Sequence, residues 1–328
     1  MKVLYAIQGT GNGHVSRAKD IIPILQNKCD LDVLISGHQS EITLPFPIKN
    51  QLKGISFVFG KKGGIDLFKT FLKHNSRRFL KEVRKLPVNN YDLVINDFEP
   101  VSAWASKYQK VPCVALSHQC AVMAANAPKP SLEDPVGKLI LRRYAPANRH
   151  YGFHFEPYAP NIYPPVIRQQ IRQLNPTNEG HYTVYLPAYK DSRLIQVLSE
   201  VKAVTWQVFS KKTSKQYRKG NVQVYPVSAD LFSQSFAGCN GILCGAGFET
   251  PAEALYLGKK MFVIPMKGQY EQQCNAAALK KMGVRVSRGF NVTTVKPITE
   301  WVQEAQPIQV NYPDLTETII DQLLAAHA

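Results

Sequence analysis

The chain has no long apolar run. Nowhere in its 328 residues does a hydrophobic stretch approach the roughly 20 residues that span a bilayer. The opening segment Met1-Lys2-Val3-Leu4-Tyr5-Ala6-Ile7-Gln8 lacks the longer apolar core and small-residue cleavage site of a signal peptide. The six cysteines (29, 113, 120, 239, 244 and 274) are scattered and form no CxxC pair, so neither a zinc site nor a disulfide framework is indicated. Reduced thiols in the cytoplasm are expected, with Cys113, Cys239 and Cys244 buried in apolar runs. Acidic residues are scarce, 24 against 40 Lys and Arg, which leaves a net charge of +16. No aromatic-interleaved RNA motif accompanies that charge, so nucleic acid is not an expected partner. The only Asp-x-Asp, Asp30-Leu31-Asp32, precedes its strand and lies on the wrong edge for a metal–diphosphate site, so no metal is expected. Internal repeats and low-complexity tracts are absent.

What is present is an ordinary globular composition, 45% hydrophobic and 20% charged, in a length that suits two domains. Short apolar runs alternate with amphipathic stretches. Strands are expected at 2–8, 31–36, 55–59, 91–96 and 112–117, with helices at 14–28, 66–86 and 99–109. The alternation pauses in a proline-rich stretch near 128–180. It resumes with strands at 182–187, 204–209, 221–225, 240–244 and 260–264 and helices at 191–200, 250–257, 270–282 and 312–326. This is the pattern of α/β units on parallel sheets. It predicts two Rossmann-like doubly wound domains, 1–170 and 171–328, facing a cleft at the carboxyl ends of their strands. Residues 1–160 hold 22 of the basic residues against 12 acids, and nine basic residues fall between Lys61 and Lys85. In the helix expected at 66–86, the apolar positions from Leu67 to Leu86 oppose these cations. One reading is a helix packed on the sheet. The other is a peripheral face for an anionic membrane, extended by Arg142, Arg143 and Arg149.

Two loops carry chemistry. The first strand ends in Gln8-Gly9-Thr10-Gly11-Asn12-Gly13-His14. It is not a dinucleotide fingerprint, because His14 stands where the third glycine belongs and the second strand ends without an acid. His14 sits at the opening of a helix, whose positive end favours a neutral imidazole suited to a general base. Asp97, at the end of a strand, fits a partner that holds the tautomer of His14; the bland alternative is a cap on the next helix. His118 and Gln119 end the following strand on the same side, as acceptor contacts, with His118 an alternative base or a chemically idle polar residue.

The second loop is Cys244-Gly245-Ala246-Gly247-Phe248-Glu249-Thr250-Pro251-Ala252-Glu253. A strand, small residues and a helix start make a diphosphate cradle, with Thr250 expected as N-cap and Pro251 as the first helical residue. Glu253 reads either as the far half of a capping box with Thr250 or as a carboxylate for ribose hydroxyls.

These residues, with Gly258–Pro265 and Gln269–Ala276, resemble the donor site of MurG-type and UDP-glucuronosyltransferase-like GT-B enzymes. Gly9 to His14 is similar to their first loop. The matched stretches are under a quarter of the chain, but their order and separation fit. The resemblance implies a metal-independent, inverting, hexosyltransferase-type glycosyltransferase without a cofactor. His14 and Asp97 would be the base and its partner, and Gly11, Asn12 and Gly13 the first loop. Gly245, Ala246, Gly247 and Thr250 would hold the diphosphate, Glu253 the ribose, Gln272 and Gln273 the donor sugar, and the backbone at Val227 the base. It implies a nucleotide-sugar donor, UDP preferred, and as acceptor a lipid-linked sugar, a glycan or a small molecule. The cytoplasm, with peripheral binding to the inner face of the membrane, is the expected location, and the last helix is expected to cross back to the first domain. Glu249 departs from the family pattern: beside a diphosphate it must point away or pair with a base such as Lys190 or Arg193. The rival readings are a UDP-sugar 2-epimerase-like enzyme, with Glu99 the nearest extra acid, and a non-catalytic binding protein for nucleotide sugars or polyanions.

Overall fold

A computed structural model describes residues 1–37, 44–55, 76–132 and 134–327. The strand expected at 55–59 (apart from residue 55) and the first ten positions of the helix expected at 66–86 lie outside the described residues.

Among the described residues the first half is a seven-stranded parallel sheet in the order β3-β2-β1-β4-β5-β6-β7. Its strands are β1 (Lys2–Gln8), β2 (Asp30–Ser36), β3 (Asn50–Leu52), β4 (Leu93–Asp97), β5 (Cys113–Ser117), β6 (Arg149–Phe153) and β7 (Ile162–Tyr163). β1 is buried almost throughout, and its run of apolar residues has both faces covered. On the helix Asn12–Lys28, Val15, Ala18, Ile22 and Leu25 follow helical spacing and are fully buried, together with Ile21. Burial of each large aliphatic side chain contributes about 1.5–3 kcal/mol.

The second half is another seven-stranded sheet, β10-β11-β9-β8-β12-β13-β14. Its strands are β8 (His181–Tyr185), β9 (Thr205–Ser210), β10 (Tyr217–Lys219), β11 (Val222–Pro226), β12 (Gly241–Gly245), β13 (Lys260–Ile264) and β14 (Arg285–Val286). All its pairs are parallel except β10 with β11. Both halves are therefore doubly wound. In each, winding reverses beside the first strand of that half, between β1 and β4 and between β8 and β12, which is where ligand crevices form.

The proline-rich stretch is not a pause in the fold. It contains β6, β7 and the helix Pro135–Arg143, which extend the first sheet and its cover. Strands of five and two residues are too short to show a period. The final helix, Thr316–Ala325, packs on the helix Asn12–Lys28 of the first half. Ile319, Ile320, Leu323 and Leu324 join Ile21 and Leu25 in one core, and Lys28 Nζ reaches Glu317 at 2.9 Å and Asp321 at 2.7 Å. Among the described residues no helix is long and apolar enough to cross a membrane.

Candidate active site

β1 and β4 are adjacent and parallel, with Ile7 opposite Asp97, so the loops after them open on the same edge. Gly11, at φ 96°, has a conformation open to glycine, and from it the helix Asn12–Lys28 starts with His14 in its first turn. After Asp97, Phe98 takes φ 57°, a left-handed geometry that costs a non-glycine residue about 1–3 kcal/mol. This turn separates two acids with different tasks. Glu99, not Asp97, caps the helix Pro100–Gln109, its carboxylate accepting from the Val101 and Ser102 N–H groups and from Ser36 Oγ. Glu99 is fully internal and gives the epimerase reading no cleft acid.

Asp97 is left to face His14. The Nδ1–H of His14 donates to Asp97 Oδ1 at 2.8 Å, and Arg17 Nη2 donates to both Asp97 oxygens at 2.8 Å. The other amino group of Arg17, Nη1, donates to Glu249 Oε1 at 2.7 Å, across the cleft. Relative exposures are 9% for His14, 2% for Arg17 and none for Asp97.

Burial alone would lower the His14 pKa, but the charge of Asp97 and its hydrogen bond outweigh burial and hold it above the ordinary value; Arg17 pulls it back and Glu249 adds to it. The downward shift expected from the helix end is thus outweighed: a carboxylate in contact acts more strongly than the partial charge of a helix terminus. Burial would raise the Asp97 pKa, and Arg17 and His14 together bring it below the ordinary carboxylate value. With Nδ1–H fixed on an ionised Asp97, the lone pair of His14 is at Nε2, where the Gln119 amide nitrogen sits at 3.3 Å.

Two cavities meet here. The first, of about 410 Å³, lies in the cleft and is lined on one side by Gly11, Asn12, Gly13, His14, His118 and Gln119 and on the other by Gly247, Glu271 and Gln272. The second, of about 590 Å³, lies at the carboxyl ends of β8 and β12. Gly245, Gly247, Thr250 and Gln272 border it, together with Lys190, Arg193 and Lys267. Gly247 and Gln272 line both cavities. A Cβ on Gly13 would collide with the Glu249 carboxylate, so glycine there permits the close approach of the two halves.

Several expectations are corrected. The helix carrying Glu253 begins at Glu249, one residue before Thr250, and no side chain caps it. Pro251 is accommodated because the first-turn N–H groups lack intrahelical acceptors. No capping box forms. Glu253 is 2% exposed, lines neither cavity, and accepts from Arg168 Nε at 2.5 Å and Nη2 at 2.8 Å. A ribose would have to displace Arg168 to reach it. Glu249 pairs with Arg17 of the other half rather than with Lys190 or Arg193.

Val227 lines neither cavity, and its N–H donates to Ser210 at 3.3 Å, so that group does not serve a base. Ala246 is buried, with its carbonyl accepting from Asn275 Nδ2 at 3.2 Å, and Gln273 borders neither cavity.

His118 is 1% exposed and stacks flat on Phe248, with ring centroids 3.7 Å apart. Its Nδ1 lies 2.8 Å from the Phe153 carbonyl and its Nε2 2.7 Å from Asn275 Oδ1, and burial lowers its pKa. With both nitrogens engaged, it joins the two halves and is not placed to serve as a base. Sequence reasoning missed Arg17, Arg168 and Asn275. Arg17 had a readable signal, since it stands three residues after His14 on the same helical face.

Two facing doubly wound domains with a histidine–carboxylate pair on one side and a small-residue loop on the other define the GT-B class of glycosyltransferase. The chain belongs to glycosyl transferase family 1, whose sequence model matches residues 1–302. Solved structures of the same fold include MurG of Acinetobacter baumannii, at 16% identity and a TM-score of 0.59, covering 99% of this chain and 100% of that one. The glycosyltransferase SnogD from Streptomyces nogalater aligns at 14% identity and a TM-score of 0.56, covering 99% of each chain. Phytolacca americana UGT2, complexed with UDP-2-fluoro-glucose and pterostilbene, aligns at 13% identity and a TM-score of 0.61, covering 99% of this chain and 94% of that one. No curated protein matches the chain by sequence.

Proposed function

We propose that the chain transfers a sugar from a nucleotide diphosphate, UDP preferred, to an acceptor hydroxyl in one inverting displacement, with His14 as the base. The observation that carries this is the contact between His14 Nδ1 and Asp97, which turns Nε2 toward a cavity bordered on its far side by Gly247 and Gln272. His14 removes the acceptor proton, the oxygen attacks the anomeric carbon, and the diphosphate leaves toward the second cavity. The free N–H groups and positive end of the helix Glu249–Tyr256 stabilise the departing charge, helped by Lys190, Arg193 and Lys267. Arg17 neutralises Glu249, which otherwise would repel that charge. The proposal includes no metal and no cofactor, and Gly245 and Thr250 flank the phosphates.

We propose further that the protein works at the cytoplasmic face of a membrane. Leu132, Val136 and Leu139 are 80%, 53% and 58% exposed beside Arg142 and Arg143, and the helix Pro135–Arg143 also contributes Gly137 to the wall of the first cavity. Sedimentation with anionic vesicles at low salt tests this part; no co-sedimentation refutes it.

A nucleotide-release assay with purified enzyme and a panel of UDP-sugars and glycoside acceptors tests the chemistry. His14→Ala should lose about 10²–10⁴-fold in turnover while UDP binding persists. Turnover retained in that variant would remove His14 from the mechanism. UDP binding without turnover in the wild type on any acceptor would favour a binding protein.

A further inference from the structure

We infer that the first cavity takes an uncharged sugar or polyol unit, rich in hydroxyl or amine donors, and rejects the same unit bearing a carboxylate or phosphate. That this unit is the acceptor rests on the transferase reading above.

The inference comes from buried, unpartnered polar atoms on residues of the cavity wall. Gln8 Oε1, Gln119 Oε1, Gln269 Oε1 and Thr10 Oγ1 are all buried, all belong to residues in its wall, and none has a hydrogen-bond partner in the protein. Buried polar atoms are ordinarily paired, so four orphans around one cavity mark the positions of ligand groups. Gln8 and Gln119 are only 1% and 5% exposed.

Three of the four orphans are amide oxygens, which only accept. The orientation of two of them is fixed by the rest of each amide. Gln8 Nε2 donates to the Ile55 carbonyl at 3.3 Å and to Tyr144 Oη at 3.0 Å, and turning the amide over would set its oxygen against that carbonyl. Gln119 Nε2 donates to Glu271 Oε2 at 3.1 Å, and turning it over would set oxygen against a carboxylate.

The charges agree with the orphans. Asp134, Glu249 and Glu271 line this cavity; Glu249 is paired with Arg17, and Lys211 is the lysine among the described lining residues. A hydroxyl or an amine satisfies amide oxygens and carboxylates. An anionic group has no proton to offer them and meets like charge, which serves as a specificity device. The second cavity has the opposite character, with Lys190, Arg193 and Lys267 in its wall. Charge therefore sorts the two substrates, the anionic one to the second cavity and the donor-rich neutral one to the first. Gln119 couples specificity to chemistry: its amide nitrogen lies 3.3 Å from His14 Nε2, and its oxygen, buried in the same wall, has no partner in the protein.

The test is a ligand-observed NMR titration of the full chain, with and without UDP. The probes are matched methyl glycosides on gluco, galacto and manno rings, each as the neutral hexoside, the 2-amino hexoside and the hexuronide, with the hexose 6-phosphates beside them. The inference predicts that neutral or amino glycosides of at least one ring bind. The matching uronide and phosphate should bind about tenfold or more weakly, a difference of about 1.4 kcal/mol. Glu271→Gln should narrow that gap. Equal or tighter binding of the uronide or phosphate overturns the inference, and so does binding of no glycoside by a protein that still binds UDP. Glycoside binding with the predicted preference but no UDP binding would sustain the inference about the cavity and defeat the transferase reading.

Discussion

Replacing Asp97 with Asn probes the site most sharply, because it removes the charge that holds both His14 and Arg17. Asp97 Oδ1 accepts from both His14 Nδ1 and Arg17 Nη2, and Oδ2 accepts from Arg17 Nη2 again. Arg17 has only donors and its Nη2 touches both carboxylate oxygens, so an asparagine in either orientation sets its amide nitrogen against that donor; oxygen at the Oδ1 position serves His14 and Arg17 together. The His14 tautomer is then kept, but the negative charge that stabilises the imidazolium formed on proton uptake is gone. The variant keeps nearly the same shape without that charge. Turnover should fall toward the range for loss of a general base, about 10²–10⁴-fold. The KM for the nucleotide sugar should change little, because the second cavity lies beyond Gly247 and Asp97 does not line it. Asp97 raises the His14 pKa, so removing its charge also moves the acid limb of the residual kcat/KM profile to lower pH. The fold should lose about 3 kcal/mol, the low end for breaking a buried ion pair, since Arg17 keeps Glu249. The assay is steady-state kinetics over pH 5–9 with a denaturant melt alongside. A variant within tenfold of wild type, with an unmoved limb, would refute the reasoning.

Three further outcomes follow from the same contacts. Arg17 lowers the His14 pKa, so Arg17→Gln should move the acid limb of kcat/KM toward higher pH; a shift the other way in a folded variant would contradict the charge assignment. Glu253→Ala should destabilise the apo protein by about 3 kcal/mol by leaving Arg168 without its buried partner. An unchanged melt with lost nucleotide binding would instead return Glu253 to the ribose. Phe98→Gly should relieve the left-handed strain yet lose turnover, because Phe98 stacks on His14 and on Tyr144 with ring centroids 6.4 Å and 4.8 Å away; equal or higher kcat would show that the strain is dispensable.

The alternation of apolar and amphipathic runs made the two sheets legible, because fully buried parallel strands read as continuous apolar segments. The strand ends at Gln8 and Asp97 then placed His14 beside Asp97, as parallel neighbours must. Less legible was anything that depended on contact between the halves. The acid at Glu249 stood out, but its partner Arg17 lies 232 positions earlier in the chain, and no local spacing points to it. Glu253 kept the spacing expected of a ribose ligand while Arg168, from the segment joining the two sheets, took both of its oxygens. Thr250 looked like a cap because Thr-Pro is a common helix start, but the helix began one residue earlier. β6 and β7 were hidden by their length and by surrounding prolines.

The central claim is that the second cavity holds the diphosphate of a nucleotide sugar. Thermal denaturation with UDP, TDP and GDP and their sugar derivatives tests it most directly. A ligand present at 100 times its dissociation constant stabilises the folded state by about 2.7 kcal/mol, easily read as a rise in Tm. The account predicts such a rise with UDP and UDP-sugars, weakened when Lys190 and Arg193 are changed to Ala. No rise with any nucleotide would contradict it.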